Sequence, residues 1–100
     1  MGITNQNEIT LDSILNSPLG FKYNGLDNNG MPKIEYVQKI LKMNEEELLE
    51  ETERKIWLSA YANNNARSDY HWQCDACYAV SFKYGNLYER AYKNVESTVK

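Results

Sequence analysis

A small, mainly α-helical bundle built on a central antiparallel helix pair is the fold class this sequence predicts, and three observations predict it. Apolar residues recur at helical spacing through most of residues 32–100. Helix-capping residues stand at Asn44, Ser68 and Asn86, each just ahead of such a stretch. The run Asn63-Asn64-Asn65 falls between the two longest stretches, where a turn would reverse the chain. With 100 residues, at roughly 100–200 residues per domain, the chain is expected to form one domain. It divides into an irregular N-terminal segment, 1–31, and a helical core, 32–100.

Thr10 can cap a short helix through Leu11, Ile14 and Leu15, which Pro18 and Gly20 would end. Phe21-Lys22-Tyr23 alternates like a short strand. Asn24-Gly25 and Asn28-Asn29-Gly30 are turn signals, because Asn and Gly tolerate positive φ. A short β-hairpin through 21–31 is compatible with them. Pro32 suits the start of a helix, and apolar Ile34, Val37, Ile40 and Leu41 follow at helical spacing.

Asn44 with Glu47 forms a capping box, and the Glu residues after it suit the positive end of the helix dipole. Leu49, Ile56, Trp57, Ala60 and Tyr61 mark one face of a helix over 45–62. Ser68-Asp69 supplies the next cap, for a helix over 68–84. That helix is apolar on two sides, with Tyr70, Cys74, Cys77, Tyr78 and Ser81 on one and Trp72, Ala76, Ala79 and Val80 on the other, which places it centrally or against a partner. Gly85 ends it. Asn86 and Glu89 form a second capping box for a last helix striped by Tyr88, Tyr92, Val95 and Val99.

Composition narrows the function classes. Leu, Ile, Val and Phe make up only 21 of 100 residues, so the eight Tyr, two Trp and three Met must supply much of the buried surface. The formal charge of −3 argues against a general nucleic-acid binder. Residues 1–50 carry net −4 and residues 51–100 net +1. The imbalance comes from Asn44–Glu53, which holds six Glu and no base. No apolar run approaches the about 20 residues that span a bilayer, and the first ten residues lack the charged and apolar regions of a leader. Two closely spaced Cys read as reduced thiols, so the expected location is the cytoplasm.

His71-x-x-Cys74-x-x-Cys77 is the most pointed chemical constellation. Thiolate and imidazole are zinc ligands, and C-x-x-C lets two thiolates share one metal, but a closed structural site needs four ligands and the chain has no further Cys or His. A redox pair would open a helix after a strand, and no βαβ pattern surrounds Cys74. The reading is therefore two small core residues, with no cofactor and no catalytic set. Lys83, Arg90 and Lys93 interleave with Tyr84, Tyr88 and Tyr92, a pattern that tracks single-stranded nucleic acid. This makes a small nucleic-acid-binding regulator the alternative function. Residues 37–48 resemble the helix–turn–helix pairs of phage repressors in shape, although a recognition helix opening on three Glu would repel DNA.

The six Glu of Asn44–Glu53 exceed what capping uses. Glu50 with Arg54 and Glu51 with Lys55 can pair at i,i+4, leaving Glu45, Glu46, Glu47 and Glu53 for a basic partner. Trp72 and Tyr84 are the expected aromatic anchors beside them, since such rings bury large area at small entropy cost. Ser68-Asp69-Tyr70-His71-Trp72-Gln73-Cys74-Asp75-Ala76-Cys77-Tyr78, continued by Tyr88-Glu89-Arg90-Ala91-Tyr92, resembles short accessory proteins of phages and prophages. Inhibitors of host defence, anti-CRISPR proteins among them, are of this kind. The resemblance covers about a third of the chain and carries no residue roles. It implies a non-enzymatic protein-binding module that blocks a basic surface of a host protein or ribonucleoprotein complex. A homodimer is compatible with the sequence.

Overall fold

A computed structural model describes residues 9–18, 20–61 and 64–98. Among the described residues the chain forms five α-helices, α1 (Leu11–Leu15), α2 (Lys33–Leu41), α3 (Glu45–Tyr61), α4 (Asn64–Ser81) and α5 (Leu87–Thr98), with 3₁₀ turns at Gly20–Tyr23 and Phe82–Tyr84. Helix α3 packs against both α4 and α5, while α2 lies on α4 and α1 on α2. Leu48, near the start of α3, shares a core cluster with Val80, near the end of α4. The two helices are therefore antiparallel, and one unbroken rod over 45–84 is excluded.

Local chemistry explains the element starts. The Thr10 hydroxyl accepts from Ser13 N at 3.1 Å and the Ser13 hydroxyl accepts from Thr10 N at 2.9 Å, so two amide donors at the head of α1 are satisfied. The same reciprocal arrangement opens α3, where Asn44 Oδ1 accepts from Glu47 N at 2.8 Å and Glu47 Oε1 accepts from Asn44 N at 3.0 Å. Pro32 stands just ahead of α2 with extended backbone.

The N-terminal segment differs from the strand expectation. Phe21-Lys22-Tyr23 belongs to a 3₁₀ turn, and the only pairing described nearby is an isolated bridge between Leu26 and Pro32. The compact approach to α1 explains the tight turn: a Cβ on Gly20 would lie 2.0 Å from the Leu15 carbonyl oxygen. Between the bridge residues, Asp27 Oδ1 accepts from the amides of Asn29 and Met31 at 2.8 and 2.9 Å, and Gly30 takes φ +82°. This loop is tied to α4, since Asn28 N donates to Asp69 Oδ2 at 3.0 Å and Asn28 Nδ2 to Ser68 Oγ at 3.1 Å.

Those contacts also account for a second difference. Ser68 and Asp69 were expected to cap a helix but lie inside α4, which begins at Asn64. Their polar groups serve the loop across from them. Of the Asn run expected to end the preceding helix, Asn63 lies outside the described residues, as does Val99 of the last stripe.

Most of the core forms one cluster, in which Trp72, Ala76, Cys77 and Val80 of α4 meet Ile14, Tyr23, Val37, Ile40, Leu48 and Leu87. A second joins Cys74 to Ile56 of α3 and Ala91 of α5. Helix α4 is thus buried on two sides, but not with the expected membership: Cys77 packs with Trp72, Ala76 and Val80, and Tyr78 is half exposed. The faces of its neighbours are rotated from expectation. Helix α3 buries Leu48, Thr52, Lys55 and Ile56 and leaves Trp57 and Tyr61 about half exposed. Helix α5 buries Leu87 and Ala91 and leaves Tyr92 half exposed.

Candidate partner-binding face

The residues expected to meet a partner separate into two groups. Several are engaged within the fold. Glu45 forms an ion pair with Arg90 of α5 at 2.7 Å. Glu47 closes the capping box. Glu53 Oε2 accepts from Asn94 Nδ2 at 2.6 Å, a second link from α3 to α5. Trp72 is only 7% exposed, its indole N–H donating to Asp69 Oδ1 at 2.9 Å and its ring packed edge-on with Tyr23 and Tyr36. Lys33 sits over the same ring, 5.4 Å from its centroid. Tyr84 is half-buried, its hydroxyl donating to the Met43 carbonyl at 3.2 Å. Trp72 and Tyr84 therefore hold α4 and the segment after it to the body of the protein, and the expectation of exposed anchors there gives way to this packing.

Glu45, Glu46 and Glu47 all remain exposed, as does Glu50, which was expected to pair with Arg54, and aromatic residues lie on the same side of α3 as Glu46 and Glu50. At 100° per residue, Glu46, Glu50, Glu53, Trp57 and Tyr61 fall within an arc of about 80°, with Arg54 at its edge. Trp57 and Tyr61 are 46% and 55% exposed, with ring centroids 5.1 Å apart. The arc runs from carboxylates at the N-terminal half of the helix to a tilted aromatic pair at its C-terminal end. Trp57 and Tyr61 were read from the sequence as core. Their i,i+4 spacing was visible there, but spacing relates residues to each other and not to the side that faces inward.

The opposite side of α3 is unusually polar. Glu51 Oε2 accepts from the Tyr36 hydroxyl at 2.6 Å and lies 3.7 Å from the Lys55 ammonium, both charged side chains being about nine-tenths buried. Lys55 also stands over the rings of Tyr36 and Tyr70, 5.4 and 5.2 Å from their centroids. One carboxylate and two ring faces thus surround a buried ammonium that would otherwise be costly to desolvate. Burial pushes the Tyr36 hydroxyl well above its ordinary range, with Cys77 and Glu51 acting in the same direction.

Between α2 and α3 lies an open groove of about 690 Å³, lined by Lys39, Lys42 and Arg54 together with Glu47, Glu50 and Glu51. Its charges oppose each other.

The cysteines belong to the interior. Cys77 is fully buried, with Sγ 3.5 Å from the Tyr36 hydroxyl, and burial pushes its thiol up to about 11. Burial raises the Cys74 thiol as well. Burial thus disfavours the thiolate, the form that attacks or ligates, at both positions. His71 is exposed and lies 3.3 Å from the Ser59 carbonyl through Nε2. Among the described residues no group of three or more His, Cys, Asp or Glu is placed to hold a metal ion.

Of the basic residues of the C-terminal region, Lys83 and Arg90 are held within the fold and Lys93 makes only a loose surface pair. Lys83 donates to the Leu41 carbonyl at 2.8 Å, Arg90 meets Glu45, and Lys93 lies 3.8 Å from Glu89. Among the described residues no helix is long and apolar enough to cross a membrane. No family model, curated protein or solved structure matches the chain.

Proposed function

We propose that this chain is a non-enzymatic protein-binding module, and that the exposed face of α3 docks a partner with a basic surface. The observation that carries the reading is the single arc in which Glu46 and Glu50 lead to the half-exposed Trp57–Tyr61 pair. Carboxylates outside the core steer a basic partner and set its orientation. A Trp and a Tyr side by side are the residue types that concentrate binding energy once water is excluded from them. The resemblance to phage accessory proteins supplies the class of partner in this proposal: a host protein or ribonucleoprotein of a defence complex, its basic surface covered and blocked.

The test compares the parent with Glu46→Lys/Glu50→Lys and with Trp57→Ala as baits in bacterial lysate, with mass spectrometry of what is retained. A partner that meets this face is held by the parent and lost with both variants. For that partner, charge reversal should mainly slow association and added salt should reproduce the effect, whereas Trp57→Ala should mainly speed dissociation. Equal retention by all three proteins would reject the face.

A further inference from the structure

A second aromatic surface lies at the junction of α4 and α5. There Tyr78, Phe82, Tyr88 and Tyr92 line a groove of about 480 Å³. Tyr78 meets Phe82 edge to face at 5.0 Å and Tyr88 at 5.2 Å, so the rings brace one another around the concavity. Tyr78, Phe82 and Tyr92 are 52%, 50% and 49% exposed. Glu89 and Glu96 stand on the rim, both exposed, together with Lys93.

We infer that this groove is a binding site for a cationic side chain, an arginine or a lysine or its methylated form, presented by a protein partner. Charge and ring electronics select that occupant. Aromatic faces carry the negative part of the ring quadrupole, and several converging rings attract an alkylammonium or guanidinium group. Two carboxylates against one ammonium leave the rim negative, which disfavours an anion and favours a cation. Lys93 is the nearest internal cation, and it turns to Glu89 at 3.8 Å with both side chains about two-thirds exposed. Such a loose surface pair yields readily to a competing cation.

The same chemistry already operates inside this protein. Lys33 lies over Trp72, Lys55 over Tyr36 and Tyr70, and Lys83 over Tyr84. The groove offers three half-exposed rings of that type without requiring a buried charge from the chain itself. The site stands apart from the α3 face and does not depend on it.

The experiment titrates the full chain with N-acetyl-Gly-Arg-Gly-amide and, in parallel, with the same peptide carrying citrulline. Citrulline keeps the shape of arginine and removes the charge. The readout is the ¹H–¹³C spectrum of the aromatic rings. Binding of the arginine peptide is expected in the millimolar range, moving the resonances of Tyr78, Phe82 and Tyr92 and leaving the Trp57 indole in place. The citrulline peptide should bind at least about tenfold more weakly. Glu89→Gln/Glu96→Gln should weaken the arginine peptide several-fold, and Tyr92→Ala, which alters a half-exposed ring, should do the same without changing the fold.

Three results would overturn the inference. Equal binding of the two peptides would make the groove a merely apolar one. Unmoved groove resonances would leave it without affinity for the cation. Groove shifts that depend on protein concentration alone would assign it to a second copy of the chain. None of these touches the salt-dependent capture expected at α3, so the two sites fail independently.

Discussion

Along α3 the buried side carries Thr52, Lys55 and the Glu51 carboxylate beside Leu48 and Ile56, whereas the exposed side carries Trp57 and Tyr61 beside Glu46 and Glu50. The first arrangement spends a buried ammonium, and it is stable only because a carboxylate and two aromatic rings meet it. The second leaves two large rings half in water, touching each other. The difference teaches how this helix was oriented. Hydrophobicity summed over α3 does not choose the inward side; complementary partners on α2 and α4 do.

The comparison can be broken most severely at its apolar end. Leu48 is fully buried where α3 meets α4, and Leu48→Ala should destabilise the fold by about 2–5 kcal/mol, read from the urea midpoint at unchanged slope. A slope change would mean that the bundle had loosened. At the polar end, Lys55→Met leaves the Glu51 carboxylate buried without its cation and should cost about 1–3 kcal/mol. Adding Glu51→Gln should recover much of that loss, because the uncompensated charge is then gone. Failure of the double variant to recover would show that the two ring contacts of Lys55, and not the ion pair, hold the buried side.

The interior beneath this polar side responds to pH in one direction. Burial pushes the Cys77 thiol up to about 11 from an ordinary 9.0. A folded value above the unfolded one contributes stability in full below pH 9 and loses it as pH rises from 9 through 11, where the unfolded chain gains a thiolate that the folded chain withholds. Tyr23, pushed up to about 12 from 10.0, acts in the same direction. Chemical denaturation at a series of alkaline pH values should therefore show falling stability, and Cys77→Ser should flatten the early part of that fall. In the folded protein the Cys77 thiol, which is fully buried, should react with a disulfide reagent at pH 8 far more slowly than in urea.

Smaller effects sharpen the account of the two ends of α3. Asn44→Ala removes half of the capping box and should cost about 0.5–2 kcal/mol, seen as a lower melting temperature. Trp57→Ala and Tyr61→Ala should each change stability by less than about 0.5 kcal/mol, since the rings are half exposed and their mutual contact lies at the helix surface. A much larger loss at Trp57 would move that ring from the exposed side to the core and remove the basis for a docking face.

How far the candidate face was legible depends on which property is asked of it. The carboxylates were legible as a run, and their excess over capping pointed to α3. Which of them stay available was not, because Arg90 and Asn94 come from α5, more than 40 residues away. The exposure of the aromatic residues was hidden for a related reason. Trp57 stands between Ile56 and Leu58 whereas Trp72 stands between His71 and Gln73, so local apolarity points to the wrong ring: Trp72 packs against Tyr23 and Tyr36, and Trp57 stays half exposed.

The sequence by itself determined what depends on neighbours within a turn or two. The Thr10 and Asn44 caps and the turn at Gly30 follow from residues that meet their partners locally, and the apolar pattern of α4 marks it as a helix to be covered on more than one side. Only the tertiary structure decided the inward side of α3, the 3₁₀ turn at Gly20–Tyr23, and the use of Ser68 and Asp69 as ties to the Asn28 loop rather than as a cap. Each of those rests on a group brought from a distant part of the chain. Helical periodicity fixes which residues share a face, and the partner that arrives fixes whether that face is buried.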